Sequence, residues 1–141
     1  MRVLLDTNIV VDYLQKREPW WQDSQVIFRA AASKQICACI TTKQIADIHY
    51  FSKKQFSGFP NVDSKARTVV GRLLSLLELL DTTASDCQNA FGIENGDYED
   101  AMLAAAAVRE SLDCIITRNP SHFKSAAIPV LSPAAFAALL D

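Results

Sequence analysis

The chain has no long run of apolar residues, although half of its 141 residues are hydrophobic. Its longest apolar stretches, such as residues 101–108, fall well short of the roughly 20 residues that a membrane-spanning helix needs. The N-terminus also lacks the pattern of a signal peptide, because Asp6 interrupts its short apolar run. We therefore expect a soluble, cytoplasmic protein with no membrane partner.

The chain also has few cysteines and a small net charge. The four cysteines, Cys37, Cys39, Cys87 and Cys114, are spaced too irregularly for a zinc site of the CxxC type, and we interpret them as buried thiols. The formal net charge is −2, the isoelectric point is about 5.6, and the basic residues are scattered. This balance argues against a protein that coats nucleic acid through bulk charge, but it leaves room for an enzyme with an acidic, metal-binding site.

Internal repeats, low-complexity tracts and room for a second domain are also absent. A chain of this length forms one domain, residues 1–141, that buries roughly 68% of its unfolded surface. Short apolar runs alternate with helical patterns along the chain, which is typical of βαβ units and a parallel sheet. The sequence therefore predicts an α/β fold.

The pattern predicts five strands and seven helices. The strands are expected at residues 2–5, 36–40, 77–80, 114–117 and 128–131. The helices are expected from residue 7 to a break at 16–19, through residues 26–30, from 41 or 42 through 51, and over 64–75, 83–91, 97–110 and 133–140. Residues 57–63 are predicted to form a loop, and Gly92, Asn95 and Gly96 a turn.

Polar side chains follow the predicted strands and begin a neighbouring helix. Asp6 follows the apolar run 3–5, Asn119 lies just past the run 114–117, and Asp97 and Asp100 begin an alanine-rich helix. Open α/β folds gather ligands at the carboxyl ends of their strands, and the i, i+3 spacing places both helical acids on one face. Carboxylates held together repel one another unless a cation neutralises them. The arrangement predicts a hard metal ion, Mg²⁺ or Mn²⁺, and does not suit a soft metal.

Each acid also has a purely structural interpretation. Asp6 suits a helix N-cap, which is worth about 1 kcal/mol and needs no metal. Asp97 and Asp100 would satisfy free N–H groups at a helix start much as a capping box does. Taken singly, Asp6 is better explained as a cap, whereas the set of acids favours a metal site.

The chain resembles the PIN-domain family, and within it the VapC-like toxin ribonucleases of type II toxin–antitoxin systems. The resemblance is carried by residues 6–12, 42–47, 97–101 and 117–119, and it covers nearly the whole chain. It implies a three-layer α/β/α PIN-like fold with a central parallel sheet of about five strands. It also implies an endoribonuclease that depends on Mg²⁺ or Mn²⁺, an RNA substrate, a small antitoxin as partner, and a homodimer.

The resemblance further implies a set of catalytic acids. Asp6 matches the first metal-binding acid of the family and Asp100 the third, so these two are the predicted metal ligands. Asp47 stands where many relatives have Glu, which shortens the side chain by one methylene. Asp97 is a supporting acid for a second ion or a water molecule.

Four further residues acquire roles from the resemblance. Asn119 occupies the place where many relatives have a fourth Asp, and a neutral amide binds a cation more weakly. Asn8 and Thr117 would orient ligands or waters around the metal, and Arg118 would pair with a substrate phosphate. For Asn8 and Thr117, ordinary duty in a turn or cap is an equally good explanation.

Other conspicuous residues have mainly structural explanations. We interpret His49 as a half-buried or surface histidine, and His122, near the predicted site, as a weaker candidate for substrate contact. Trp20 and Trp21 are better explained as core or interface anchors than as platforms for base stacking.

Two other classes of function stay open at this point. One is a catalytically weakened PIN-like module that binds RNA or protein without cleaving it. The departures from the family pattern at Asp47 and Asn119 support this alternative. The other is a phosphohydrolase in which Asp6 attacks phosphate covalently, although such enzymes ordinarily need a second Asp where this chain has Asn8.

Overall fold

The computed structural model describes residues 1–93 and 96–141, so the predicted turn residue Asn95 lies outside the described residues. The described residues form five strands: β1 (Arg2–Leu5), β2 (Cys37–Thr41), β3 (Glu78–Leu80), β4 (Cys114–Ile116) and β5 (Val130–Leu131). They also form seven α-helices: α1 (Thr7–Gln15), α2 (Trp21–Ala32), α3 (Thr42–Gln55), α4 (Val62–Leu76), α5 (Ala84–Phe91), α6 (Tyr98–Arg109) and α7 (Pro133–Leu139).

The five strands make one parallel sheet in the order β3-β2-β1-β4-β5. In the register of the sheet, Val3 lies beside Ala38 on one neighbouring strand and beside Cys114 on the other. The strands β2 and β3 lie on one side of β1, and β4 and β5 lie on the other side. The carboxyl ends of β1 and β4 therefore flank the point where the strand order reverses, which is where open α/β sheets bind ligands.

Apolar side chains cover both faces of the sheet, and this confirms the predicted three-layer α/β/α fold. On one face, alternate strand residues pack with α1, α2, α3, α4 and α7 in a cluster that includes Val3, Ile40, Ile27 and Phe136. On the other face, Leu4 and Ile115 pack against α6. Because successive strand residues point to opposite faces, strands covered on both sides are apolar throughout.

Small residues let α6 lie close to the sheet, as its alanine run indicates. Ala104 and Ala107 are buried in the cluster that contains Leu4. The helix α5 packs on α6, and an ion pair between the exposed Arg109 and the buried Asp86 joins them: Arg109 Nε and Nη2 lie 2.9 and 3.1 Å from the two carboxylate oxygens of Asp86. This pair fixes the α6 helix, whose first turn carries the predicted acids.

The structure differs from the predicted elements in a few places. The loop at 57–63 is shorter than predicted, because Asn61 adopts the left-handed conformation and α4 begins at Val62. The last strand shrinks to Val130–Leu131, and residues Pro120–Phe123 form a short 3-10 helix that the pattern did not predict. In the part of the chain that the structure describes, no helix has the length and hydropathy needed to cross a bilayer.

The interpretation of the cysteines as buried thiols is wrong for two of the four. Cys39 and Cys114 are buried, whereas Cys37 and Cys87 are partly exposed. Cys37 is the first residue of β2, where the strand emerges from the core, and Cys87 lies on the outer helix α5. Apolar flanking residues therefore did not guarantee burial at the end of a strand or on an outer helix.

Candidate active site

Asp6 lies at the carboxyl end of β1 and is 7% exposed. One of its oxygens accepts a hydrogen bond from the Thr7 backbone N–H at 2.7 Å, as the N-cap of α1. The other accepts from the Thr117 hydroxyl at 2.7 Å and from the Asn8 amide at 3.2 Å. The predicted cap at Asp6 is therefore confirmed, and the same carboxylate also faces two of the predicted supporting residues.

A buried glutamine, which the sequence analysis missed, fixes the end of β1. The Gln44 side chain is fully buried, and its amide nitrogen donates to the Leu5 carbonyl at 2.7 Å and to the Thr7 hydroxyl at 3.2 Å. Its carbonyl oxygen accepts from the Thr41 backbone N–H at 2.8 Å. Gln44 stands three residues after Thr41, the spacing of a capping box, so a signal for it was present in the sequence.

The first turn of α6 supplies the other acids. Asp97 is the N-cap, and one of its oxygens accepts from the backbone N–H groups of Glu99 at 2.7 Å and Asp100 at 3.3 Å. Asp100 is 17% exposed at its side chain, and its carboxylate lies 3.3 Å from His122 Nδ1. The structure therefore gives Asp97 the structural role of a cap and leaves the Asp100 carboxylate in contact with a histidine.

The carboxylates of these acids influence one another electrostatically. Burial of Asp100 and the negative charges of Asp6 and Asp97 together raise the pKa of Asp100 to about 6, against the opposing influence of His122. Burial also raises the pKa of Asp6, while its hydrogen bonds from Thr117 and Thr7 lower it. We refer to Asp6, Asp97, Asp100 and His122 as the acidic cluster. It brings β1, α6 and the segment after β4 to one place.

The histidine of this cluster was only a weak candidate in the sequence. His122 belongs to the 3-10 helix Pro120–Phe123, of which Asn119 is the N-cap. Gly96 reaches this segment from the other side: its φ is +112°, and a Cβ added to it would lie 2.7 Å from the His122 carbonyl oxygen. A glycine at this position is what allows the start of α6 to approach the His122 backbone so closely.

Asp47 lies on α3 and is engaged by a lysine. The Lys43 ammonium contacts the Asp47 carboxylate one helical turn away and also lies 3.1 Å from Glu99 on α6. Through Lys43, Asp47 is joined to the residue that precedes Asp100. The role of Asp47 as a catalytic acid stays a prediction, and the i, i+4 spacing of Lys43 and Asp47 was a readable signal for their pairing.

Two of the remaining predicted residues lie beside the acidic cluster with other partners. The Asn119 side chain is exposed, and its backbone N–H donates to the Thr117 hydroxyl at 3.0 Å. Arg118 Nε lies 2.7 Å from the buried Asp12 carboxylate, and the guanidinium stacks on Trp20 with its central carbon 3.9 Å from the ring centroid. The structure thus gives Arg118 a structural partner, and its contact with substrate stays a prediction.

The donor chemistry of the site fits a hard divalent cation. The acidic cluster offers carboxylate oxygens, which Mg²⁺ and Mn²⁺ prefer, and their mutual repulsion is visible in the raised pKa of Asp100. The buried Asn8 carbonyl oxygen has no hydrogen-bond partner within the described residues, and its side chain touches Asp6. Within the described residues, no three of these acids have ligand oxygens that all lie within 4.8 Å of one another.

Comparison with known proteins identifies the fold. A family model described as the PIN domain matches residues 2–121. No curated protein matches the sequence. Among solved structures, the chain is similar to VapBC2 from Rickettsia felis bound to a DNA fragment from their promoter, with a TM-score of 0.64, 21% identity, and coverage of 94% of this chain and 98% of that one.

Two further solved structures share this fold. DNA-bound VapBC from Salmonella typhimurium is 22% identical, with a TM-score of 0.66 and coverage of 94% of this chain and 98% of that one. Mycobacterium tuberculosis VapC20, a toxin that cleaves the sarcin-ricin loop, is 11% identical, with a TM-score of 0.59 and coverage of 80% and 86%. Together with a family model that spans nearly the whole chain, these likenesses confirm the predicted resemblance: the chain belongs to the PIN domain family.

Proposed function

We propose that this protein is an endoribonuclease that depends on Mg²⁺ or Mn²⁺ and acts as the toxin of a toxin–antitoxin pair. The observation that carries the proposal is the coupling of Asp100 to Asp6 and Asp97, which raises the pKa of Asp100 to about 6. Acids that interact near the switch point of the sheet destabilise one another, and a bound cation would relieve this repulsion. One of the structural neighbours is described as a toxin that cleaves the sarcin-ricin loop.

Asp6 and Asp100 would hold the cation, with Asp97 and Asn8 beside them. A divalent ion at such a site supplies activation of a water molecule for attack on phosphorus and neutralises charge on the phosphoryl oxygens. The chain's own residues prepare the site: Thr117 and the Thr7 N–H orient Asp6, and the N-cap at Asp97 fixes the first turn of α6. No side-chain nucleophile is needed, and membership of the PIN domain family leads us to expect products with a 5′-phosphate and a 3′-hydroxyl.

His122 is the neighbour of Asp100 that opposes the rise in its pKa. Its Nδ1 lies 3.3 Å from the Asp100 carboxylate, and its side chain is 54% exposed, so the imidazole can also reach a bound phosphate. We expect the imidazole to help hold RNA against the acidic cluster, in addition to Arg118 and Asn119.

The neighbours also suggest the protein partners. The VapBC structures from Rickettsia felis and Salmonella typhimurium are described as complexes bound to DNA. By analogy we propose a small antitoxin that covers the acidic cluster, and a homodimer of this chain. Co-purification with the product of an adjacent short reading frame, and sedimentation of the purified chain, would test the two partners separately.

The decisive experiment measures RNA cleavage by the purified protein. We expect cleavage that requires Mg²⁺ or Mn²⁺, stops with EDTA, and disappears in Asp6→Asn and Asp100→Asn proteins that remain folded. Asp23→Asn is a matched control, because Asp23 lies in the first turn of α2, outside the acidic cluster. Its activity should equal that of the unchanged protein.

One observation favours a second candidate, the binding module without cleavage. Asp47 is already neutralised by Lys43, and the Asn119 amide is exposed, so two of the predicted ligand positions are weak. This candidate predicts RNA or partner binding that survives both Asp6→Asn and Asp100→Asn, with no metal-dependent cleavage. A covalent phosphoryl adduct on Asp6 would instead point to a phosphohydrolase.

A further inference from the structure

A second group of metal-ligand side chains lies at the opposite end of the sheet from Asp6. Cys37 and Cys39 alternate along β2 and so point to the same face, and Glu78 begins the neighbouring strand β3, where it pairs in register with Cys39. The two sulfurs and a carboxylate oxygen all lie within 4.8 Å of one another. Within residues 1–93 and 96–141, this is the only such set of three His, Cys, Asp or Glu side chains.

A single oxygen of Glu78 faces both thiols. Cys37 Sγ donates to Glu78 Oε2 at 2.9 Å, and Cys39 Sγ lies 3.7 Å from the same oxygen. The other oxygen, Oε1, accepts from Arg2 Nη2 at 2.7 Å, and Oε2 also accepts a longer hydrogen bond from Arg2 Nε at 3.3 Å. Arg2 therefore holds both oxygens of the carboxylate from one side, and Oε2 faces the sulfurs on the other.

We propose that Cys37, Cys39 and Glu78 form a binding site for a thiophilic divalent cation such as Zn²⁺. Thiolate and carboxylate groups are among the ligands that Zn²⁺ takes in proteins, at about 2.0–2.3 Å. Tetrahedral bonds of that length separate neighbouring ligand atoms by about 3.3–3.8 Å, so each atom of a set already within 4.8 Å needs to move by about 1 Å or less to reach the ion.

The charges of this site balance when the ion binds. Both thiols release their protons to the solvent, which leaves two thiolates and the Glu78 carboxylate, three negative charges in all. The Arg2 guanidinium and the divalent ion together carry three positive charges. Water completes the coordination, because Cys37 and Glu78 are partly exposed.

Burial of Cys39, together with Glu78 beside Cys37, raises the pKa of both thiols. The metal-free protein therefore holds them as S–H groups, and binding of the ion exchanges protons for metal. Since β3 is a three-residue strand at the edge of the sheet, an ion bound by residues of both β2 and β3 would also stabilise the pairing of these two strands.

The test is a titration of the full-length, chemically reduced protein with Cd²⁺, followed by the ultraviolet charge-transfer absorption of thiolate–Cd²⁺ bonds. We expect the band to saturate at one ion per chain, Zn²⁺ to displace the Cd²⁺, and the melting temperature to rise with Cd²⁺ concentration. Cys37→Ser and Cys39→Ala should lose the band, and Glu78→Gln should shift its midpoint to higher Cd²⁺ concentration.

Matched controls come from the other cysteines and from the acidic cluster. Cys87→Ser and Cys114→Ala should keep the band, because neither sulfur belongs to the set. Asp6→Asn combined with Asp100→Asn should also keep it, which separates this site from the proposed nuclease site. Absence of a thiolate band in the unchanged protein overturns the proposal, as does a band that survives Cys37→Ser. Should Cys39→Ala fail to fold, Cys37→Ser and Glu78→Gln, at the partly exposed side of the site, decide the matter.

Discussion

The Thr117 hydroxyl donates a 2.7 Å hydrogen bond to the Asp6 carboxylate, across 111 positions of sequence. Asp6 follows β1 and Thr117 follows β4, two strands that are neighbours in the sheet only because its order reverses between them. The bond is fully buried, so it holds the carboxylate in one orientation. The proposed nuclease site thus depends on the pairing of two strands that are distant in the sequence.

Replacing Thr117 by Val should damage both stability and cleavage. The change leaves an oxygen of Asp6 and the Asn119 N–H without the hydroxyl, and a lost partner in a buried hydrogen bond costs about 1–3 kcal/mol. Urea unfolding and the rate of metal-dependent RNA cleavage would measure the two effects. Thr117→Ser keeps the hydroxyl and should retain most of both, and a Val variant as active as the Ser variant would contradict the orienting role.

The stability of the metal-free protein should fall as the pH rises through the titration of Asp100. Its pKa is about 6 in the folded protein and 3.8 as the ordinary value. Between these values the folded protein keeps a proton that the unfolded chain has released, so the free energy of unfolding decreases from about pH 4 to about pH 6. This destabilisation at neutral pH, caused by burial first and by repulsion from Asp6 and Asp97 second, is on the order of 3 kcal/mol.

Asp100→Asn removes this pH-dependent loss. In the absence of metal, the variant should be as stable as the unchanged protein at low pH and equally or more stable at neutral pH, while cleavage is lost. Urea unfolding with EDTA at a series of pH values measures the difference. A loss of several kcal/mol at neutral pH would mean that Asp100 serves as a structural cap and not as a member of a repulsive cluster.

Gly96→Ala should disturb the approach of α6 to the His122 segment. The backbone at Gly96 has φ +112°, and the added Cβ would lie 2.7 Å from a backbone oxygen that has no freedom to swing away. We expect a loss of roughly 1–3 kcal/mol in the free energy of unfolding, together with weaker cleavage.

Gly71 provides the control for this substitution. It lies in α4, with nothing within 4 Å of an added Cβ. Alanine is the better helix former by about 1 kcal/mol, so Gly71→Ala should leave stability unchanged or raise it. Equal losses from the two substitutions, measured by thermal unfolding, would show that the clash at Gly96 is relieved without cost.

Arg118→Met should destabilise the fold, because Asp12 is fully buried and pairs with Arg118. Removing one member of a buried ion pair costs roughly 3–5 kcal/mol, whereas replacing both by apolar residues is often close to neutral. The double variant Asp12→Leu, Arg118→Met should therefore recover most of the stability in urea unfolding. RNA binding by that double variant then tests the predicted contact of Arg118 with substrate, free of the unfolding effect.

Local sequence patterns predicted much of the fold. The α6 helix was expected at 97–110 and is observed at Tyr98–Arg109, because Asp97 is a strong cap and the alanine run favours helix. The strand predicted at 128–131 is shorter, since only Val130 and Leu131 pair with β4. Where pairing with a neighbour decides how long a strand is, the residues of that strand do not carry the information.

The candidate site was predictable in its acids and much less so in their surroundings. Asp6 and Asp100 stood out by their place after a strand and at a helix start. Lys43, Gln44 and His122 stood out less, because each has an important partner on another element. Lys43 contacts Glu99, Gln44 contacts the end of β1, and His122 contacts Asp100. Two cysteines on one strand gave no metal signal until β3 brought Glu78 beside them.

By itself, the sequence determined the parallel α/β class, the helix caps at Asp6 and Asp97, and the acids available to bind a cation, because hydrophobic periodicity and capping act over a few neighbouring residues. Only the tertiary structure decided which of these groups meet. The reversal of strand order at β1 brings the ends of β1 and β4 together, and burial there raises the pKa of Asp100. Charge coupling depends on distance in space and on the exclusion of water, and neither is written in the order of the residues.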